Sequence, residues 1–289
     1  MNNRRTRLIA LHQIPGMSRS LLKRIGRADS DLLLPYRADA EELVHMLGIS
    51  PVRAAGIIHH RNDPNIMKKL DKILQHGRVV TWFDRHYPPL LRTIPDPPLI
   101  LYLQGDASLL HPFRPLSVIG TRKPSKYAYP AMTSVLVPLI DKGFTIISGM
   151  AKGIDQYAHQ LAVENKGRTI AVLGSGFHHV YPRNNESLYR TLAENQLVIS
   201  EYPPDQPPKK YHFPERNRII SGLSTATFVV EARLRSGTLI TVDQALEQGR
   251  DVYALPGPAG SQTSEGCHRM INDGAKLVHT YEDIWEDWE

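Results

Sequence analysis

From residue 116 onward, short apolar runs alternate with stretches whose apolar positions recur every three or four residues. The runs Leu116–Gly120, Thr145–Ser148, Thr169–Gly174, Leu197–Ser200, Thr227–Glu231, Asp251–Leu255 and Lys276–His279 predict strands. The stretches Tyr129–Lys142, Ile154–Asn165, Glu186–Asn195, Arg216–Leu223, Leu239–Gln248 and Gly266–Asp273 predict amphipathic helices between them. Strands rich in Val, Ile and Leu on both faces, alternating with helices, predict an α/β fold with a doubly wound, mainly parallel sheet. Ligands of such sheets bind outside the carboxyl ends of the strands.

The first 75 residues follow a different rhythm. They read as helical and contain a weak repeat: Gly16-Met17-Ser18, Leu22 and Ile25 match Gly48-Ile49-Ser50, Ala54 and Ile57 in spacing. Each unit is an apolar stretch, a glycine turn, a serine placed to cap the next helix, and an amphipathic helix. Two helix-hairpin-helix units are expected, either gripping nucleic-acid phosphates or serving only for packing and dimerisation. Residues 76–115 are rich in proline, which confines Val79–Phe83 and Leu99–Leu103 to edge positions on the following sheet. The expected organisation is a small helical domain over 1–75 and a sheet domain over 76–289.

Charge sharpens the division. The whole chain carries a formal +6, yet residues 1–80 hold 14 basic and 7 acidic side chains, while the remainder is nearly balanced. A basic helical region suits a polyanion, and the sheet domain can bind one only through a local patch. No apolar run reaches the roughly 18 residues that span a bilayer. Arg4-Arg5-Thr6-Arg7 is followed by too short an apolar stretch for a signal peptide, so a cytoplasmic protein without membrane contact is expected. A single cysteine, Cys267, excludes an internal disulfide framework and a cysteine-pair zinc site.

Four strand ends break into small residues: Gly120-Thr121-Arg122, Gly149 to Gly153, Gly174-Ser175-Gly176, and Ser236-Gly237-Thr238. Glycines let backbone approach an anion, and helix N-termini offer free N–H groups. Neither the dinucleotide fingerprint nor the Walker motif is completed, which leaves the phosphates of a polymer as the expected ligand. Arg122, Lys152, Lys210, Arg216 and Arg218 stand beside this rim, interleaved with Tyr181, Tyr211, His212 and Phe213. Cations with aromatics are what a single-strand binder needs. The competing use of Arg216 and Arg218 is an ion pair with Glu201 or Glu231. Catalytic motifs do not appear: the histidine pairs lack matching ligands, no nucleophile elbow occurs, and Asp155 reads as a helix cap. Neither metal nor cofactor is expected, and no catalytic residue is assigned.

Ile119-Gly120-Thr121-Arg122, the segment Ser148 to Asp155, Gly174-Ser175-Gly176 with Tyr181-Pro182, Phe213-Pro214-Glu215-Arg216-Asn217-Arg218, Val230-Glu231-Ala232 and Ser236-Gly237-Thr238 together resemble the DNA-processing protein A (Smf) family. The resemblance runs from about Tyr87 to Gly274. It implies an extended Rossmann domain preceded by a SAM-like domain, and a competence protein that binds single-stranded DNA, dimerises, and loads the RecA recombinase in natural transformation. It places the DNA-gripping arginine at Arg122, a glycine-rich pocket at Gly174, Ser175 and Gly176, and an Arg-Asn-Arg element at Arg216, Asn217 and Arg218. With Lys152, Lys210, Phe213, Ser236 and Gly237 these form the expected DNA-binding set. Two positions depart from the family pattern: His178 stands where Asp is usual, and His268 where Asn is usual. The homodimer is expected through the late sheet domain, where Leu239, Ile240, Val242, Ala245, Leu246, Met270 and Ile271 exceed what one sheet contact consumes. The rival reading is a Rossmann-like nucleoside monophosphate hydrolase, although no glutamate follows Ser236-Gly237-Thr238 before Glu247.

Overall fold

The computed structural model describes residues 3–76 and 78–289. The chain divides into two compact units, residues 1–87 with 98–101, and residues 88–97 with 102–289.

In the first unit six helices (Arg4–His12, Arg19–Ala28, Leu34–Arg37, Ala40–Leu47, Pro51–His60 and Pro64–His76) precede the strand β1 (Val79–Thr81). Both halves of the repeat form hairpins. Gly16 and Gly48 take left-handed φ values of 75° and 55°, which suit glycine at a tight turn. Ser18 then accepts from the Leu21 N–H, and Ser50 from the Arg53 N–H, so each serine caps its helix. Leu22, Ile25, Ala54 and Ile57 are buried at matching positions. The two hairpins are also tied reciprocally: Arg24 donates to the Leu47 carbonyl at 2.7 Å, while Arg53 donates to the Gly16 carbonyl.

The second unit is built on β2 (Ile100–Gly105), which enters it at Tyr102, followed by β3 (Pro115–Ile119), β4 (Thr145–Ser148), β5 (Arg168–Leu173), β6 (Leu197–Ser200), β7 (Ala226–Val229), β8 (Asp251–Ala254) and β9 (Lys276–Leu277). Their order is β2-β6-β5-β4-β3-β7-β8-β9. β2 lies antiparallel on β6 with Tyr102 opposite Ser200, and the pairings among β3 to β9 are parallel. From β3 the chain winds outward through β4, β5 and β6, then returns to place β7 on the other side of β3. The winding reverses there, and the loops after β3 and β7 diverge to leave a crevice.

Burial on both faces explains why these strands show apolar runs rather than alternation. One face packs Leu116 and Val118 against Met132, Val135 and Leu136 of the helix Ala128–Asp141 and against Ala158 and Leu161 of Ile154–Glu164. Ile284, Trp285 and Trp288 of the acidic terminal segment close this layer, with Trp288 edge-on to Phe144 at 4.8 Å. The other face packs Met150, Ala171, Leu173 and Val198 against Tyr189 and Leu192. Element limits differ from the expected ones by a residue or two. The larger difference is the helix His212–Gly222, which starts four residues before Arg216. Pro214 lies in its first turn, where a missing N–H costs no intrahelical bond, so proline does not mark a boundary there.

Candidate nucleic-acid interface

The crevice at the winding reversal opens into a cleft of about 650 Å³. One wall is the turn Gly120-Thr121-Arg122 after β3. The opposite wall is the segment after β7, with Arg233, Ser236, Gly237 and Thr238 at the start of the helix Gly237–Glu247. Tyr181, Lys210, Phe213, Arg216 and Asn217 also contribute to the lining.

Close approach fixes the glycine at 120. A Cβ there would stand 2.7 Å from Ile154 and 3.1 Å from the Glu231 carbonyl oxygen, and only glycine lets the three segments meet. The loop after β4 is similarly constrained. Met150 sits at φ 54° and Gly153 at φ 90°. A non-glycine residue in the left-handed region needs support. Asn185 supplies it by donating to the Met150 carbonyl at 2.9 Å, and Asp155 by accepting from the N–H groups of Gly149 and Ala151 at 3.2 and 3.4 Å. Asp155 therefore does not cap its own helix, contrary to expectation. Gly153 is the cap residue, and the carboxylate turns back to the loop preceding it.

Arg216 forms the base of the cleft and is 4% exposed. It donates to the Gly149 carbonyl, to the Val172 carbonyl at 2.6 Å, and through Nε to Asn217 Oδ1 at 3.1 Å. Burial draws its pKa down, opposed by the charge of Asp155 and reinforced by Arg122, but a guanidinium stays protonated throughout the accessible range. Burial likewise pushes the Asp155 carboxyl up, while Arg216 pulls it back. The base thus carries a fixed cation partly balanced by a reluctant anion. Above it the exposed Arg122 guanidinium lies 5.8 Å from the Phe213 ring centre, and Phe213 lies 5.4 Å from Tyr181, itself 47% exposed. Cation and ring faces are presented side by side.

Seven residues of the expected set line this cleft: Arg122, Lys210, Phe213, Arg216, Asn217, Ser236 and Gly237. The other five lie elsewhere. Lys152 is exposed on the loop after β4 but off the lining. Gly174, Ser175 and Gly176 are covered: the Gly176 N–H donates to the Gln206 carbonyl at 2.8 Å, a Cβ on Gly174 would meet Phe213 at 3.0 Å, and Ser175 Oγ donates to His179 O at 2.7 Å. These small residues seat Phe213 and the 203–206 segment. Arg218 is 5% exposed and donates to both Glu201 carboxylate oxygens at 2.7 and 2.6 Å, which is the competing ion pair named above. Two positions on a helix are about 200° apart, so Arg216 and Arg218 face opposite sides.

Glu231 is 1% exposed, with its carboxylate accepting from Ser125 and Thr263, and it presents no free carboxylate to the cleft. No group of three or more metal-ligating side chains occurs among the described residues. Both departures find partners: His178 pairs with Asp205 at 2.8 Å, and His268 Nε2 meets the Gly257 carbonyl at 2.9 Å. The cleft also holds residues outside the expected set, chiefly Arg233, Thr121 and Thr238. Arg233 stands two residues past Glu231 with neither glycine nor aromatic beside it, so no local signal marks it.

The fold is thus a Rossmann-like sheet whose switch-point cleft is floored by a buried guanidinium and faced with aromatic rings. The family model for DNA recombination-mediator protein A matches residues 78–289. The chain is 43% identical over 203 residues to DNA processing protein DprA of Bacillus subtilis (strain 168), covering 70% of this chain and 68% of that one. It is 44% identical over 277 residues to DprA of Streptococcus pneumoniae, covering 93% and 96%. The X-ray structure of the Streptococcus pneumoniae protein superposes with a TM-score of 0.84 over 98% of each chain, at 34% identity across the structural alignment. DNA processing protein A of Helicobacter pylori, whose structure concerns its single-stranded DNA binding mode, superposes at 0.66 over 73% of this chain and 95% of that one, with 28% identity. The chain belongs to the DNA recombination-mediator protein A family. Its fold is that of the family, an α/β Rossmann-like sheet with an N-terminal helical region. No helix among the described residues is long and apolar enough to cross a membrane.

Proposed function

We propose that this protein binds single-stranded DNA in the switch-point cleft, acts without turnover, and loads the RecA recombinase onto the bound strand. The carrying observation is the juxtaposition of the exposed Arg122 with the rings of Phe213 and Tyr181 on one cleft, above the fixed charge of the buried Arg216. Guanidinium groups take phosphate oxygens bidentately, and exposed rings stack on bases whatever their identity. A duplex cannot offer its base faces without unpairing, so the strand bound is single. The free N–H groups at the start of the helix Gly237–Glu247 add a further place for a phosphate. Family membership supports the proposed role in transformation and the hand-over to RecA, and the Helicobacter pylori relative supports the choice of ligand.

The functional unit in this reading is a homodimer formed by the late sheet domain. Leu246 remains 60% exposed and with Leu239, Val242 and Met270 lines a second groove of about 550 Å³, whereas Ile240 lines the DNA cleft instead. Pairing two copies over this groove buries the apolar surplus and sets two DNA clefts on one particle.

The test is anisotropy titration of labelled single- and double-stranded oligonucleotides at several salt concentrations. Single strands should bind far more tightly, with log affinity falling against log salt by about 0.7 per phosphate contacted. Equal affinity for duplex at matched salt would remove the stacking argument.

A further inference from the structure

We infer that Arg233 is a phosphate-binding residue that faces Arg122 across the cleft, so that one strand is clamped between two arginines; this rests on the cleft being the seat of the DNA. Arg122 follows β3 and Arg233 follows β7, the two parallel neighbours between which the winding reverses. Both line the cleft, Arg122 from the turn after β3 and Arg233 from the segment after β7, and both side chains are exposed. No hydrogen bond or ion pair engages the Arg233 side chain among the described residues. An exposed guanidinium on a cleft wall with no internal partner is placed for a ligand rather than for the fold. Arg216, the other arginine on the lining, is already committed to two backbone carbonyls.

The backbone carrying Arg233 is fixed although its side chain is not. Two residues earlier, the buried Glu231 accepts the Thr121 N–H on its carbonyl oxygen at 2.8 Å. Its carboxylate accepts the Ser125 N–H at 2.9 Å, the Ser125 hydroxyl at 2.6 Å and the Thr263 hydroxyl at 3.0 Å. Thr121 and Ser125 bracket Arg122, so one residue ties the Arg122 turn to the strand end that leads into Arg233. The Ala232 N–H donates to Thr263 O at 2.8 Å, and Ser236 Oγ donates to the Arg233 carbonyl at 3.0 Å, which holds the segment from both sides. The two backbone positions that carry the cations are therefore set before DNA arrives, and only the two side chains remain to be ordered on binding. Arg235, two residues on, is equally exposed but lies off the lining.

The experiment uses the full chain, a fluorescein-labelled oligothymidylate, and the variants Arg122→Ala, Arg233→Ala, Arg233→Lys and Arg235→Ala. Arg233→Ala should weaken binding about tenfold or more, the worth of one charge-assisted contact. It should also flatten the log affinity against log salt line by about 0.7, the mark of one lost phosphate contact, with melting unchanged. Arg233→Lys should keep the slope and recover part of the affinity, and Arg235→Ala should match the parent. If Arg122→Ala weakens binding while Arg233→Ala binds like the parent, or loses affinity without a change in slope, the clamp is wrong and the cleft reading survives. If the parent itself does not bind the oligonucleotide, the function proposed above fails and the clamp falls with it.

Discussion

The Arg122 guanidinium lies 5.8 Å from the centre of the Phe213 ring, a cation beside a flat apolar face at the mouth of the switch-point cleft. Arg122 arrives on the turn after β3, Phe213 on the first turn of the helix His212–Gly222. Ninety residues of sequence separate two groups that a nucleotide needs together.

Arg122→Ala should weaken single-strand binding by more than about 1.5 kcal/mol, the lower end for a hydrogen bond to a charged group. Arg122→Lys should recover only part, since an ammonium lacks the bidentate fork. Melting should hardly move, because the side chain is exposed. An alanine variant that melts much lower and binds DNA normally would make Arg122 a structural residue.

Arg218→Ala should behave in the opposite way. Its removal leaves the Glu201 carboxylate, 5% exposed, without its buried partner. Breaking such a pair from one side costs about 3–5 kcal/mol. Urea denaturation should show that loss, and the fraction that remains folded should bind oligonucleotide like the parent. A stable variant with impaired binding would return Arg218 to the interface.

The contrast between these arginines shows what could be read in the sequence and what could not. The sheet was legible because burial on both faces writes continuous apolar runs, and the switch-point cleft was legible because glycine and serine collect at the strand ends. Gly174-Ser175-Gly176 looked like an anion cradle because a glycine reports that something approaches closely. It does not report what, and here the neighbours are Phe213 and the carbonyls of Pro203 and Pro204. Arg216 and Arg218 are alike in composition and differ only in helical phase, which a helix start misplaced by four residues obscures. Arg233 carried no pattern at all, since its place follows from strand order.

Acid sensitivity should trace in part to His159. Its Nδ1 lies 2.7 Å from Thr169 Oγ1, whose proton goes to the Ile146 carbonyl, so Nδ1 carries the hydrogen. Burial pushes the imidazole down from 6.5 to about 3. The unfolded chain binds a proton below pH 6.5 that the folded chain refuses until near 3, so this contribution is complete above 6.5 and is lost as pH falls through that window. The slope should reach about 1.4 kcal/mol per pH unit. Denaturation of parent and His159→Gln between pH 7 and 5 checks this; equal acid slopes would contradict it.

Leu246→Glu should convert a dimer to a monomer in light scattering without lowering the melting temperature, because this side chain is 60% exposed on the second groove. Met270 is a poorer probe: at 7% exposure, a charge there tests folding as much as pairing. A parent chain that is monomeric at tens of micromolar would reject the interface.

The location of the strand is the central claim, and photo-crosslinking tests it most directly. A bromodeoxyuridine-substituted single strand irradiated on the full chain should attach to residues of the cleft lining, with Phe213 and Tyr181 as the principal sites. Crosslinks confined to the helical first unit, or to the groove of Leu239, Leu246 and Met270, would contradict the account.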